Sequence, residues 1–448
     1  MKPRPPLPSG PYLVVGLARS GVAAALALRA RGEEVIGCDA GSPEDAQLAA
    51  AAGRLRHAGV EVHLDASGAA LAALSGAGTL IKSPGVPQHA PLVAAARARG
   101  VPVLGELELA WRLVGNEFVA VTGTNGKTTT TEWIGHIHRE AALPAVVVGN
   151  VGTAATSLAG SVSPDATVVC EASSFQLEDT RAFAPEVAVL LNLEPDHLDR
   201  HSSYPEYVAA KLRIFANQGN DDVAVAPEDL GVEDLGGCGR RLTFGAGVGA
   251  QLSDRAGQIW WGDEPLLAAG EISLPGGHNR ANAMAAAAVC LARGIEADAV
   301  ATGLRTFAGV AHRLELISIA DGVAFVNDSK ATNIASTIVA LRSYAGSVHL
   351  IAGGRGKGQD FSALAPVVAR RCGAVYLIGE ASAQLASALA ASGVAIRECG
   401  DLERAFGNAT AAAGPGDTVL LSPACASYDQ YRDFEARGAH FRALVQAL

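Results

Sequence analysis

"FVAVTGTNGKTTTTEWIGHI", residues 118–137, carries an apolar strand into a glycine turn and out into a helix. The common phosphate-binding loop spaces its residues as G-x-x-x-x-G-K-[ST]. Gly126, Lys127 and Thr128 supply the second half, but Val121 stands where the first glycine belongs, and the nearest other glycine is Gly123. The loop is therefore shorter and tighter than the common one. Its backbone N–H groups from Thr124 to Thr128 still lie at the start of a helix, where the dipole favours an anion. Lys127 can then neutralise terminal phosphates and the Thr128 hydroxyl can hold Mg²⁺. The plainer alternative is a strand-to-helix turn that binds nothing.

Outward from this stretch the same pattern of strand, glycine turn and helix repeats, which predicts an α/β protein with parallel sheets. A first block opens with "PYLVVGLARSGVAAALALRARGEEVIGCD" (11–39), where an apolar strand runs into Gly16 and a second strand ends at Asp39. The middle block holds the loop and the apolar runs "ATVVCEAS" (166–173) and "EVAVLLNLEPDH" (186–197). From about 219 to 275 the helical signal fades, and glycines, short alternating segments and Trp260-Trp261 predict an antiparallel meander. "GHNRANAMAAAAVCLARGI" (277–295) reads as a helix stopped by Gly294. A third block shows "VAFVND", "VHLIAGGRGKG", "AVYLIGE" and "DTVLLSPACAS" as strands spaced by helical segments. Three domains are expected: residues 1–108 and 311–448 as Rossmann-like units flanking a central nucleotide-binding domain, 109–310, built on a P-loop-type parallel sheet with a small antiparallel part.

The 448 residues carry 35 Lys+Arg against 45 Asp+Glu, a net charge of −10, without a basic run. No global field holds nucleic acid, and anions must be caught by local loops and single cations. Seven cysteines lie far apart with no C-x-x-C spacing, which argues for reduced thiols. Prolines occupy the N-terminal segment where a signal peptide needs an apolar helix. No apolar stretch approaches the roughly 18 residues of a membrane span. A cytoplasmic protein that is not integral to a membrane is expected.

Three further sites carry chemistry. Glu171 follows a strand and reads, taken alone, as an acid at a helix N-terminus, or as a metal ligand at the carboxyl edge of an open sheet. "NLEPDHLDRH" (192–201) packs Asp196, His197, Asp199, Arg200 and His201 past another strand, as a cation or substrate cluster or as a polar helix-capping loop. In "YVAAKLRIF" (207–215), Lys211 falls among Tyr207, Ile214 and Phe215 on the helical wheel. Lysine enters an apolar face with a partner for its head, or by snorkelling to water.

Taken in order, "TGTNGKTTT" (122–130), "GNVG" (149–152), "EASSFQLE" (171–178), "EPDHLDRH" (194–201), the Lys211 helix, "GHNRANA" (277–283), "HRLE" (312–315), "NDSKATN" (327–333) and "SPACASYDQYRDFEARGAHF" (422–441) resemble the Mur ligase family from about Gly16 to Phe441. The resemblance implies an ATP-dependent ligase that joins an amino acid to a UDP-sugar carboxylate through an acyl phosphate. It implies nucleotide contacts at Gly123, Thr124, Asn125, Gly126, Lys127, Thr128, Thr129, Asn282, Arg313 and Asp328. Mg²⁺, at two sites, is implied on Thr128, Glu171, His197 and Lys211, the last carbamylated by CO₂. Lys127, His197, Lys211 and Lys330 are the implied catalytic residues. The UDP substrate is implied at Gly16, Ser20, Asp39, Ser83, Asn150, Ser173, Gln176 and His197, and the amino acid at Thr332, Lys357, Ser427 and the backbone of Phe434. The ending "SPACASYDQYRDF" (422–434) favours the member that adds D-glutamate to UDP-N-acetylmuramoyl-L-alanine in peptidoglycan synthesis. A monomer is expected.

The first block departs most from the family pattern. "GLARSG" (16–21) has Ala18 where a dinucleotide fingerprint has glycine, and "AGSPED" (40–45) after Asp39 lacks the threonine and arginine often found there. The alternatives are an L-glutamate-adding variant, a sister ligase for L-alanine, diaminopimelate or D-alanyl-D-alanine, and a folylpolyglutamate synthase-like enzyme. From other classes, a nicotinamide-dependent oxidoreductase conflicts with the missing glycine, and a catalytically dead nucleotide switch conflicts with the presence of every charged group just named.

Overall fold

The computed structural model describes residues 2–65, 68–150, 152–197, 200–356 and 359–448, without the side chains of residues 68–71. Lys357 and Asp199 lie outside the described residues. Among the described residues the strands form three sheets. From edge to edge the first sheet runs Glu61–Leu64, Val35–Asp39, Tyr12–Val15, Thr79–Lys82 and Val103–Gly105, all parallel. Tyr12–Val15 is completely buried, as a central strand covered on both faces should be. Crossovers leave it on opposite sides, so the turns after Val15 and Lys82 sit at the switch point of the sheet, where ligands bind.

The second sheet runs Glu264–Ala268, Gln258–Trp261, Leu252–Arg255, Arg240–Gly245, Val223–Pro227, Val187–Leu190, Phe118–Thr122, Thr167–Glu171 and Ala145–Gly149. Here the sequence expectation needs correction. The segment read as an antiparallel meander contributes Val223–Pro227, Arg240–Gly245 and Leu252–Arg255 as parallel extensions of the main sheet. Only the two ribbons beyond Leu252–Arg255 are antiparallel. Phe118–Thr122 lies near the sheet centre, with Val121 paired to Glu171 on one side and Val189 on the other. Behind it, Trp111, Phe118 and Phe183 pack edge to face in a common core.

The third sheet runs Glu315–Ala320, Val323–Asn327, Thr418–Leu421, Val348–Gly353, Cys372–Ile378 and Ala395–Gly400; only its first strand is antiparallel. The chain divides into two compact units, 1–307 with the first two sheets and 308–448 with the third. Within the first unit the sheets are joined by polar contacts. Buried Lys82 donates to Asp179 at 2.6 Å, Gln88 donates to the other Asp179 oxygen, and buried Glu108 accepts the amides of Arg181 and Phe183. Arg4 donates to the Asn116 carbonyl and lies over the Trp111 ring at 4.4 Å. Among the described residues no helix is long and apolar enough to cross a membrane.

Candidate functional site

The nucleotide loop hangs between Thr122 and the helix Lys127–Glu140. Gly126 holds the left-handed conformation at φ +84°, and a Cβ there would lie 2.2 Å from the Asn282 side chain. Glycine is thus required twice over, by the turn and by the close approach of Asn282 from the helix Gly277–Ala292. That contact brings together two of the expected nucleotide residues that are more than 150 positions apart in the chain.

Lys127 folds back to donate to the carbonyls of Gly123 and Thr124 at 2.9 and 2.8 Å. The Thr128 hydroxyl donates to Glu171 at 2.7 Å, and Asn150 donates to the other Glu171 oxygen at 3.1 Å. Glu171 is therefore aimed at the loop and at Asn150. The cradle is narrower than the loop sequence suggests: the Thr124 and Asn125 amides donate to the Asn192 carbonyl and side chain, respectively. Asn192 returns a bond to the Asn125 carbonyl, and Glu194 accepts from the Asn125 side chain. The loop amides not taken up by Asn192 accordingly begin at Gly126. Asn192 and Glu194 were missed by sequence reading; their signal is their place at the carboxyl end of the strand beside Phe118–Thr122.

Lys211 does not snorkel. It is 2% exposed and donates to the Gly123 carbonyl at 2.7 Å, with its ammonium 4.6 Å from the Tyr207 ring centre. Burial first, then the charge of Lys127, pushes its pKa down to about 7. Tyr207 in turn shares a hydrogen bond with the Thr124 hydroxyl at 2.9 Å. The Lys211 helix, Tyr204–Leu212, is placed by the Ser203 side chain, which accepts the Glu206 amide.

Thr128 and Glu171 make a pair of hard oxygen donors suited to Mg²⁺. Among the described residues no group of three His, Cys, Asp or Glu side chains could hold a metal ion. His197 takes a positive φ of 53°, sits half-exposed, and approaches Asp196 at 3.5 Å and the Phe175 ring at 4.9 Å.

At the switch point of the first sheet, Gly16 (φ +87°) accepts the Ser83 hydroxyl at 2.6 Å, and Ser20 lies half-buried in the helix that follows. Asp39 accepts the amides of Leu17 at 2.6 Å and Gly41 at 2.8 Å, so it braces both neighbouring turns. Ser173 and Gln176, expected at the substrate, form a capping box on the short helix Ser174–Leu177 and are buried.

In the second unit, Arg313 rides a turn fixed on both sides: Asp328 accepts the Leu314 amide and the Lys330 amide donates to the His312 carbonyl. The other Asp328 oxygen accepts the Ser422 hydroxyl at 2.7 Å. Asp328 is 4% exposed, and burial raises its pKa to about 7 against the lowering by these bonds. Its carboxylate thus serves the Arg313 turn. Thr332 follows, its amide bonded to the Lys330 carbonyl. Ser427 is buried, and the Phe434 carbonyl accepts the Ser329 hydroxyl. Arg437, unremarked in the sequence, is 1% exposed and donates to the carbonyls of Ser329 and Cys425 at 2.9 and 3.1 Å, tying both loops to the helix Phe434–Gln446.

Two family profiles match the chain: the Mur ligase middle domain over residues 121–290 and the "Mur ligase, glutamate ligase domain" over residues 312–425. UDP-N-acetylmuramoylalanine--D-glutamate ligase of Pelotomaculum thermopropionicum is 41% identical, with 97% of each chain covered. The protein of the same name from Anaeromyxobacter dehalogenans is 43% identical, with 96% of each covered. Among solved structures, UDP-N-acetylmuramate-alanine ligase MurC from Thermotoga maritima is similar at TM-score 0.59 and 20% identity, over 98% of this chain and 100% of that one. MurF ligase from Thermotoga maritima in complex with ADP is similar at TM-score 0.55 and 18% identity, over 83% and 90%. At such identities the likeness to solved structures speaks for the fold alone.

Proposed function

The chain belongs to the Mur ligase family, and we propose that it performs the glutamate-adding step. It is an ATP-dependent ligase that joins D-glutamate to UDP-N-acetylmuramoyl-L-alanine in peptidoglycan precursor synthesis. The observation that carries this reading is the 41–43% identity over nearly the whole chain to proteins named UDP-N-acetylmuramoylalanine--D-glutamate ligase. The joint around the short loop, with Thr128 bonded to Glu171, Asn282 pressed on Gly126 and Lys211 buried against Gly123, supports its ATP-dependent part. The domains are taken as 1–108 for UDP, 109–310 for ATP and 311–448 for the amino acid, in a cytoplasmic monomer.

A carboxylate is a poor electrophile, so the γ-phosphoryl of ATP first moves onto the L-alanyl carboxylate. The amine of glutamate then attacks the acyl phosphate, and phosphate leaves. In the first step one anion approaches another, and the helix N-terminus at Gly126–Thr129 with Lys127 supplies preorganised positive charge. Asn282 closes the loop from the opposite side. Gly16, Ser20, Asp39 and Ser83 hold the UDP end; Asn150, Ser173, Gln176 and His197 hold the muramoyl-alanine end. Arg313 and Asp328 serve the nucleotide, and Lys330 serves the transferred phosphoryl group. Thr332, Lys357, Ser427 and the Phe434 backbone receive glutamate, with Lys357 offering charge to a carboxylate.

Mg²⁺ would be held by Thr128 and Glu171, with a second ion near His197, and would neutralise phosphate oxygens. A neutral Lys211 amine is the form that takes up CO₂, and carbamylation would turn this buried cation into a further hard-oxygen ligand.

The test is phosphate release with ATP, Mg²⁺ and UDP-N-acetylmuramoyl-L-alanine, adding D-glutamate, L-glutamate or diaminopimelate separately. Release with D-glutamate alone is expected. Release with another amino acid moves the enzyme to a different step on the same scaffold, and no release with any removes the ligase reading.

A further inference from the structure

Three segments expected to touch the UDP-linked substrate come from distant parts of the chain: the turn after Ser83, the short helix Ser174–Leu177, and the loop bearing His197. One side chain meets all three. The Arg200 guanidinium donates through one nitrogen to the carbonyls of Pro84 at 2.9 Å and Val86 at 2.8 Å, and approaches Gly85 at 3.4 Å through another. Its plane lies over the Phe175 ring at 4.5 Å, and that ring stacks on His201 and lies 4.9 Å from His197. Val86 is also the nearest obstacle to any side chain at Gly16, at 2.6 Å, so the turn that Arg200 grips is packed directly on the UDP-end glycine.

We infer that Arg200 is a positioning residue for the UDP-linked substrate, holding the Ser83–Val86 turn against Phe175 and the His197 loop. The inference rests on the proposed function and deepens it. A planar guanidinium fork reaches several carbonyls at once while stacking on an aromatic face, which an ammonium does not. Among the described residues no carboxylate lies within ion-pair distance of Arg200, though its charge still acts on Glu178, and its hydrogen bonds go to backbone carbonyls. Among the described residues the hydrogen bonds and ring contact of Arg200 do not reach the nucleotide loop, whose shape is held by Asn192, Glu194 and Tyr207. Its loss should therefore weaken one substrate and spare the other.

The test compares Arg200→Ala and Arg200→Lys with the parent protein by calorimetric binding of UDP-N-acetylmuramoyl-L-alanine and of ATP, and by KM and kcat for each. The alanine variant should bind the UDP substrate about tenfold or more weakly, with ATP affinity changed less than about twofold and the lysine variant in between. Equal weakening for both ligands, or none for either, overturns the inference. Hydrogen exchange of the ligand-free proteins over residues 83–87 separates it from the parent reading. Faster exchange in Arg200→Ala is required whatever the substrate proves to be, and unchanged exchange overturns the positioning role. A parent protein that binds no UDP substrate refutes the proposed function instead.

Discussion

Lys127 sits with its ammonium against two carbonyls of its own loop, where it shapes the turn without supporting the core. Lys127→Ala should therefore leave the melting temperature nearly unchanged while lowering ATP-dependent phosphate release by about 10²-fold or more; release at the parental rate would take the loop out of the reaction. Asp328 makes the opposite case, a charge held at a structural cost. Below the ordinary carboxylate range both folded and unfolded states are protonated and the cost is absent. Between about pH 4 and 7 the folded state keeps a proton that the unfolded chain has lost, so stability falls as pH rises, and the full cost applies above about 7. Asp328→Asn should accordingly raise the melting temperature relative to the parent more at pH 8 than at pH 5, and an equal difference at both would contradict the assignment. How legible such residues were depends on range. The apolar-face position of Lys211 followed from local helical phase, but not whether its head is buried or reaches water: its partner, the Gly123 carbonyl, and the grip of Asn192 on the loop join distant strands and leave no trace in local spacing.

At the level of elements, the short loop works because Gly126 turns left-handed under Asn282. Alanine there costs about 1–2 kcal/mol of backbone strain before any clash, and its Cβ meets Asn282 at 2.2 Å. Gly126→Ala should raise the ATP KM by about tenfold or more, and Gly126→Ala/Asn282→Ala should recover only part of it, since removing the clash leaves φ unchanged. Full recovery in an ATP titration would locate the whole effect in the side-chain contact. The repeated strand-turn-helix signal made the parallel cores readable. It failed from Val223 to Arg255 because weak, glycine-broken strands look alike whether they pair in parallel with a remote neighbour or antiparallel with an adjacent one. Ser173 and Gln176 show a second limit: as a capping box they fix a helix start, and the same residue types suit a cap and a substrate contact.

For the molecule as a whole, the division at 307/308 places the first two sheets in one compact unit. Lys82, paired far from water with Asp179, whose other oxygen accepts from Gln88, is a costly way to gain stability, and a buried ion pair of this kind is better suited to fixing one arrangement. Glu108 and Arg4 brace the same seam at other points. On the proposed function, Gly16 with Ser83 and Gly126 with Thr128 would be the two ends of a gauge of set length. A substrate would be measured against it: the sugar nucleotide would have to be long enough to anchor at one end while its acyl group reaches the other. N-acetylmuramoyl-L-alanine without the uridine diphosphate should therefore suffer in kcat as well as KM, because anchoring energy from the remote end positions the carboxylate for transfer. A loss confined to KM would mean that the gauge only binds. A loss in both would mean that the distance between two glycine turns, set by a buried lysine, is itself part of the enzyme's selectivity.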